Sequence, residues 1–482
     1  MEFPSPEFAR DKPCKCNRRE IFWHIPGTFA VKDLNASTRG NNVSALPEQA
    51  DYDVVVLGAG ISGITLAYDF VRSGRSVLLV DEYETPGGNH ISVNLDGRSF
   101  DIGAIFFWTG YPQFEMFPGL SELVVPVNWS LQRVTPDMRI ARYPIDLRGD
   151  LLARPLKHKA RMARDLLRMR LRGQSRRSAL TFLEYYLGQT LMEDSGILNY
   201  VERFYGVPAD EINYDFARSR MRPVERAASF SGLASQSFRK MFGKRQHLAS
   251  EQCVARPKSG FPAYYDAAIG QLHGMGVETR LGAQLGWSAS AQARHALRID
   301  GKPVSAHRIV STMPLGRTAE LAGVEADDAP RSKGLHTLFC QFRGQRGFDS
   351  LILYNFHKAG RWKRLTMHSD YYGKADGWEY MSIEVTADSA EETPEALFAD
   401  FRSTARAFGL FDGELELMGH RHTAFAYPVY SHGTALRRDS MIDALARAGI
   451  ETAGRQGRFQ YLPTSAEAIK SVRGDISVLP QA

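Results

Sequence analysis

Tyr52-Asp53-Val54-Val55-Val56-Leu57-Gly58-Ala59-Gly60-Ile61-Ser62-Gly63 is followed by a second apolar run, Val77-Leu78-Leu79-Val80, closed by Asp81, and then by Pro86-Gly87-Gly88-Asn89. The run ending at Leu57 predicts a buried parallel strand. Gly58, Gly60 and Gly63 permit a tight turn, close approach of a pyrophosphate and close helix–strand packing. A helix from about Ser62 to Arg72 would aim its N-terminal N–H groups and its dipole at the phosphates. Asp81 falls roughly twenty residues after the glycines, where a carboxylate can accept from ribose hydroxyls. Strand, glycines, helix, second strand and acid in this order predict a dinucleotide site.

The 482 residues hold 60 Lys and Arg against 54 Asp and Glu, a formal net charge of +6. Apolar and charged fractions of 43% and 24% are ordinary for a globular chain of two or three domains and argue against a disordered one. No apolar run approaches the ~20 residues that span a bilayer, and the N-terminus lacks a charged-then-apolar pattern, so the expectation is a cytoplasmic protein. Cys14, Cys16, Cys253 and Cys340 are too scattered for a disulfide framework and lack zinc spacing; they are expected to be reduced thiols, with no metal site. Neither a nucleophile elbow nor a phosphate-loop lysine motif is present. Positive charge concentrates between Arg154 and Arg177. That stretch reads as a surface helix packing Leu166 and Met169 on the core with its arginines in water; contact with an anionic membrane surface is the alternative. Without aromatic–basic interleaving or a reader motif, nucleic acid is not an expected partner.

Residues 1–50, rich in Pro, Asn and Ser, read as an N-terminal extension. Residues 51–110, 250–325 and 420–475 are expected to form one discontinuous nucleotide-binding domain, completed by strands at Val277–Leu281 and Arg308–Pro314. Residues 111–250 should be mainly helical. Residues 326–419 should form an antiparallel sheet, with strands in Leu335–Phe342, Ser350–Tyr354, Arg364–His368 and Tyr380–Val385. The last piece, Gly449–Val472, reads as strand, glycine turn and helix, with Thr464 or Ser465 as N-cap.

Further segments carry a resemblance: Gly103-Ala104-Ile105-Phe106-Phe107-Trp108-Thr109, Tyr200-Val201-Glu202-Arg203-Phe204-Tyr205-Gly206, Tyr427-Pro428-Val429 and Gly454-Arg455-Gln456-Gly457-Arg458-Phe459-Gln460-Tyr461. With the glycine motif and Gly87-Gly88-Asn89, the chain from about 52 to 472 resembles the UDP-galactopyranose mutase family, within the broader amine oxidase and protoporphyrinogen oxidase-like FAD superfamily. The resemblance implies an α/β fold, with a discontinuous Rossmann-type FAD-binding domain, a helical substrate domain and an antiparallel-sheet domain. It implies FAD rather than NAD, held by Gly58, Gly60, Ser62, Gly63, Asp81, Glu82, Gly87, Gly88, Asn89, Thr279, Gly454 and Arg455.

For activity, the resemblance implies a pyranose/furanose mutase on a nucleotide-linked sugar, in which reduced FAD acts through N5 while the nucleoside diphosphate departs and returns. Guanidinium forks suit such a leaving group. Arg364 and Arg455 would supply them, with Tyr427 and, by its place after Asn89, His90 as further catalytic candidates. Tyr200, Tyr205, Trp108, Tyr461 and one of Arg218 and Arg220 are implied substrate contacts. The chain also departs from the family. Ile105 and Trp108 stand where the family has histidines, Tyr205 where it has tryptophan, Met367 where a glutamate follows the diphosphate arginine, and Leu462 and Pro463 where it has Tyr and Asp. The apolar replacement near the flavin favours a second reading, an FAD-dependent oxidase or desaturase of an amine or a natural-product intermediate.

Overall fold

The computed structural model of the chain describes residues 50–221, 224–225, 251–288, 296–325, 330–387 and 391–477. The extension to residue 49, with Cys14 and Cys16, and most of 222–250 lie outside the described residues. Within them, Tyr52–Leu57 (β1), Val77–Val80 (β2), Glu278–Arg280 (β10), Ala306–Ser311 (β14) and Ile450–Thr452 (β20) form a parallel sheet of order β10-β2-β1-β14-β20. The apolar run of β1 is buried on both faces because helices cover both. Helix Ile61–Arg72 follows β1 directly. Gly63 makes that junction possible, since a Cβ there would stand 1.8 Å from the Gly58 carbonyl oxygen. The chain leaves β1 toward β2 on one side, while β14 pairs on the other. The carboxyl ends of β1 and β14 therefore flank a topological switch point, where open α/β sheets bind ligands.

A second, seven-stranded sheet has the order β19-β15-β18-β17-β16-β7-β8. Its strands are Leu131–Val134 (β7), Ile140–Arg142 (β8), Ser332–Arg346 (β15), Ile352–Asn355 (β16), Trp362–Met367 (β17), Glu379–Ala387 (β18) and Phe411–Pro428 (β19). Each predicted strand of this region is present. The sheet also recruits β7 and β8 from the stretch expected to be mainly helical, and the β7–β16 pairing is its one parallel ladder. Three smaller pieces complete the β structure. Ser92–Leu95 (β3) and Arg98–Asp101 (β4) form a hairpin; Phe107–Trp108 (β5), Val125–Pro126 (β6) and Cys253–Ala255 (β9) form a short sheet; and Leu285–Trp287 (β11), Leu297–Ile299 (β12) and Lys302–Pro303 (β13) form a ribbon.

Helices Leu156–Leu171, Ala179–Ser195, Ile197–Tyr205 and Tyr214–Arg220 make up the helical region. A shared core joins Phe182, Leu183, Tyr200 and Phe204 of these helices to Phe100 and Phe106, to Phe339 and Tyr354 of the large sheet and to Phe356 just after β16. The C-terminal helix Ser465–Asp475 is capped by Thr464, whose Oγ1 accepts from the Glu467 N–H at 3.1 Å.

Candidate active site

The carboxyl ends of β1, β2, β14 and β20 open into a cleft of about 430 Å³, roofed by Arg364 of β17 and the C-terminal end of β19. At one end Gly58, Gly60, Ser62, Gly87 and Gly88 present backbone and little else. The N-terminus of helix Ile61–Arg72 has no acidic residue in its first turn, which leaves its N–H groups and dipole available to an anion. Asp81 is buried. Its Oδ2 accepts from the Ala59 N–H at 2.6 Å and its Oδ1 from the Tyr83 N–H at 2.9 Å. Burial pushes the Asp81 carboxyl upward, opposed by those two N–H groups. A carboxylate has about four acceptor sites, so Asp81 keeps capacity to accept from a hydroxyl. Glu82, beside it, is forked by Arg317 at 2.6 and 3.1 Å. These two are the only carboxylates in the cleft wall among the described residues.

The middle of the cleft is walled by Ile102 to Phe107, an apolar strip. His90 also lines it, with Nδ1 hydrogen-bonded to the Tyr265 hydroxyl and its ring stacked on Phe261. Burial, aided by the Arg455 charge, lowers the His90 pKa to about 3, so the imidazole is neutral at physiological pH.

The far end is cationic. Arg364 Nε donates to Glu384 Oε1 at 2.6 Å, Lys363 Nζ stands 2.9 Å from Glu384 Oε2, and the Tyr427 hydroxyl donates to Oε2 at 3.2 Å. Consecutive strand residues normally point to opposite faces. A register irregularity between Trp362 and Arg364 breaks that alternation, and both cations reach one carboxylate. Burial alone would raise the Glu384 carboxyl, but Arg364 and Lys363 outweigh it and hold it down to about 2. Two cations share one buried carboxylate, and one of them, Arg364, stands in the cleft lining, so this end of the cleft is positive. Arg455 adds to it: Nη2 donates to the Ala426 carbonyl at 2.9 Å, while the buried Nε has no hydrogen-bond partner. Gly454 lets this segment approach the first helix, since its φ is +75° and a Cβ would stand 2.5 Å from Ser62 Oγ.

Thus Arg364, Arg455, Tyr427, His90 and Tyr461 meet in one cleft with Gly58, Gly60, Ser62, Asp81, Glu82, Gly87, Gly88 and Asn89. Gly63 and Gly454 pack behind the lining. Other expected contacts fall elsewhere. Tyr200 stacks on Phe356 at 4.8 Å and Tyr205 packs edge-on against Phe216, both in the core; from this helix it is Phe204 that lines the cleft. Trp108 pairs with Cys253 on β9 and packs near Trp129, because β5 carries the chain away from the cleft after Phe107. Thr279 is in register with Leu79, two residues short of Asp81, and so lies below the strand ends that form the site. Arg218 is half exposed and 3.8 Å from Glu225, outside the lining. The Arg220 side chain lies outside the described residues. Sequence reasoning missed Lys363, Glu384, Arg317 and Phe204. Met367 stands where the family has a glutamate, and the carboxylate that pairs with Arg364 comes from the neighbouring strand as Glu384. Its signal was a lone acid between Ile383 and Val385.

The comparisons agree with this architecture. A family model described as an NAD(P)-binding Rossmann-like domain matches residues 56–118. Reduced UDP-galactopyranose mutase superposes with a TM-score of 0.69 at 17% identity, covering 87% of this chain and 92% of that one. A redesigned putrescine oxidase superposes with a TM-score of 0.56 at 15% identity, covering 88% and 97%. Among curated proteins, prolycopene isomerase 2 of an Oncidium hybrid cultivar is 32% identical over 93 residues, which is 19% of this chain and 15% of that protein. The chain thus has the α/β fold of the mutase and amine-oxidase type, and its sequence likeness to the curated relative spans about a seventh of that relative's length.

Proposed function

We propose that this chain, built on the fold shared by UDP-galactopyranose mutase and putrescine oxidase, is an FAD-dependent enzyme, and that it acts as a pyranose/furanose mutase on a nucleotide-linked sugar. The observation that carries this reading is the cationic far end of the cleft, where Arg364 and Arg455 converge with Tyr427 and, among the described residues, no carboxylate joins them in the lining. A diphosphate is the complement of fixed guanidiniums in a partly desolvated site.

The residues at the other end fit FAD: backbone glycines beneath a helix N-terminus for the pyrophosphate, and Asp81 for a ribose. Bound and reduced, the flavin would supply a nucleophilic N5 for the sugar carbon. The protein's own groups would do the rest. Arg364 is held by Glu384, so its orientation is set before substrate arrives. Arg455 Nε, already buried, would donate to a phosphate oxygen without further desolvation. Ile102 to Phe107 would exclude water from the middle of the cleft, and His90, neutral, would position by hydrogen bonding rather than by charge.

A second reading is an FAD-dependent oxidase or desaturase, favoured by the apolar strip of Ile102, Ile105 and Phe106. The same guanidiniums repel a cationic amine, so under this reading the substrate is neutral or anionic. The test is a titration with UDP, TDP and GDP in both flavin redox states, followed by anaerobic turnover of the matching sugar conjugate. Saturable binding of one nucleotide and a product of unchanged mass support the mutase. A product lighter by two hydrogens, formed only with an electron acceptor, would establish the oxidoreductase instead.

A further inference from the structure

Ten large apolar side chains are exposed among the described residues, and four of them fall within one short stretch: Leu152, Leu156, Leu167 and Leu171, at 63, 81, 59 and 79% exposure. The last three belong to helix Leu156–Leu171. At about 100° per residue, Leu167 and Leu171 lie within about 60° of Leu156 around the axis, with Ala160 and Ala163 between them. The exposed apolar groups therefore form one stripe roughly two dozen ångströms long.

This stripe is not a core face waiting to turn inward, because the opposite face is already engaged. Met162 is buried and Leu166 and Met169 are half buried. The helix backbone rests on Gly188 of helix Ala179–Ser195, where a Cβ would stand 2.9 Å from Leu166 N. Asp165 bonds Thr190 Oγ1, His158 Nε2 lies 2.5 Å from Asp194 Oδ2, and Arg170 stacks on Tyr185 at 4.3 Å. These contacts fix the rotation of the helix and leave its leucines in water.

Charge selects what covers them. The helix carries six Lys and Arg and one acid, Asp165, which faces inward. Lys157, Arg161, Arg164 and Arg168 are exposed along one flank of the stripe, and Arg172, Arg176 and Arg177 continue the charge past its end. A second copy of this face would set like charges together. A nucleic acid would leave the leucines unmatched. An apolar stripe bordered by cations matches the boundary between acyl chains and anionic headgroups. We propose that this face of helix Leu156–Leu171 docks in the plane of an anionic lipid surface, leucines toward the acyl chains and the flanking cations at the phosphates. No helix among the described residues is long and apolar enough to cross a membrane, so the contact is interfacial.

The experiment is co-sedimentation of the full-length protein with phosphatidylcholine vesicles with and without phosphatidylglycerol. Two variants accompany it, L156S/L167S/L171S and K157E/R161E/R164E/R168E, with their thermal midpoints and flavin content measured alongside. The expected result is binding only when phosphatidylglycerol is present, weakened at least about tenfold in either variant, with folding and flavin unchanged because these side chains face water. Absence of wild-type binding, or binding that either variant leaves intact, overturns the proposal. So does sedimentation velocity in which the leucine variant converts a dimer to a monomer, which would assign the stripe to a second copy. A variant that fails to keep its thermal midpoint is replaced by the single changes L156S and L171S, read by the same criteria.

Discussion

The two ends of the cleft are built by different means. Around Gly58 to Asn89 the site is backbone: glycines, a helix N-terminus and two carboxylates, all supplied within one βαβ stretch. At the other end it is side chains: Lys363 and Arg364 from β17, Glu384 from β18, Tyr427 from β19 and Arg455 after β20, brought together from distant parts of the chain. The first end is set by turn geometry and tolerates almost no added volume. The second is set by strand register and charge balance, so its weak points are charges rather than sizes.

The sharpest test removes the balancing charge. E384Q leaves Lys363 and Arg364 buried against a neutral amide, and the expected loss is about 3–5 kcal/mol in denaturant unfolding. The acid response has a defined sign. The Glu384 carboxyl is lowered from 4.5 to about 2, so its contribution is fully present above pH 4.5 and is lost as pH falls through about 2. The stability gap between wild type and E384Q should therefore hold from neutral pH to about 4.5 and close below it. At the backbone end, Gly63→Ala forces a Cβ onto the Gly58 carbonyl. The expectation is about 1–3 kcal/mol of destabilisation with loss of retained flavin, read from the absorbance of the purified protein. If E384Q proves milder than Gly63→Ala, the contrast between a charge-limited and a volume-limited end fails.

Smaller effects refine the contrast. R455A should weaken nucleotide diphosphate binding by about 1.5–3 kcal/mol without altering flavin content, because it removes a charge-assisted donor. An equal loss of flavin would move Arg455 to the cofactor end. His90, lowered from 6.5 to about 3, favours the folded state above pH 6.5 and loses that contribution as pH falls toward 3. Wild type should thus lose stability relative to H90N across that window, and the pH–rate profile should show no limb near 6.5 from this residue.

The backbone end was legible because its determinants are contiguous: periodicity, glycine spacing and one acid locate strand, turn and helix without tertiary knowledge. The strands of the second sheet were legible for the same local reason. Their pairing was not, so β7 and β8 could not be assigned to that sheet from Leu131–Val134 and Ile140–Arg142 alone. Tyr200 and Phe204 are one helical turn apart on the same face; which of them meets the cleft depends on where the helix ends against the sheet, and only Phe204 does. The union of Lys363 with Arg364 on Glu384 depends on a strand irregularity that no side-chain alternation announces.

One seam between the halves is held in an unusual way. Asn89 and Gln456 donate to the Phe425 carbonyl at 3.0 and 2.8 Å, and Arg455 to the Ala426 carbonyl. Both acceptors are main-chain atoms of β19, so the side chains at 425 and 426 are excused from joining the halves. Those two positions can be exchanged, by laboratory selection or over descent, to reshape the roof of the cleft while the Rossmann-type half keeps its place beneath it.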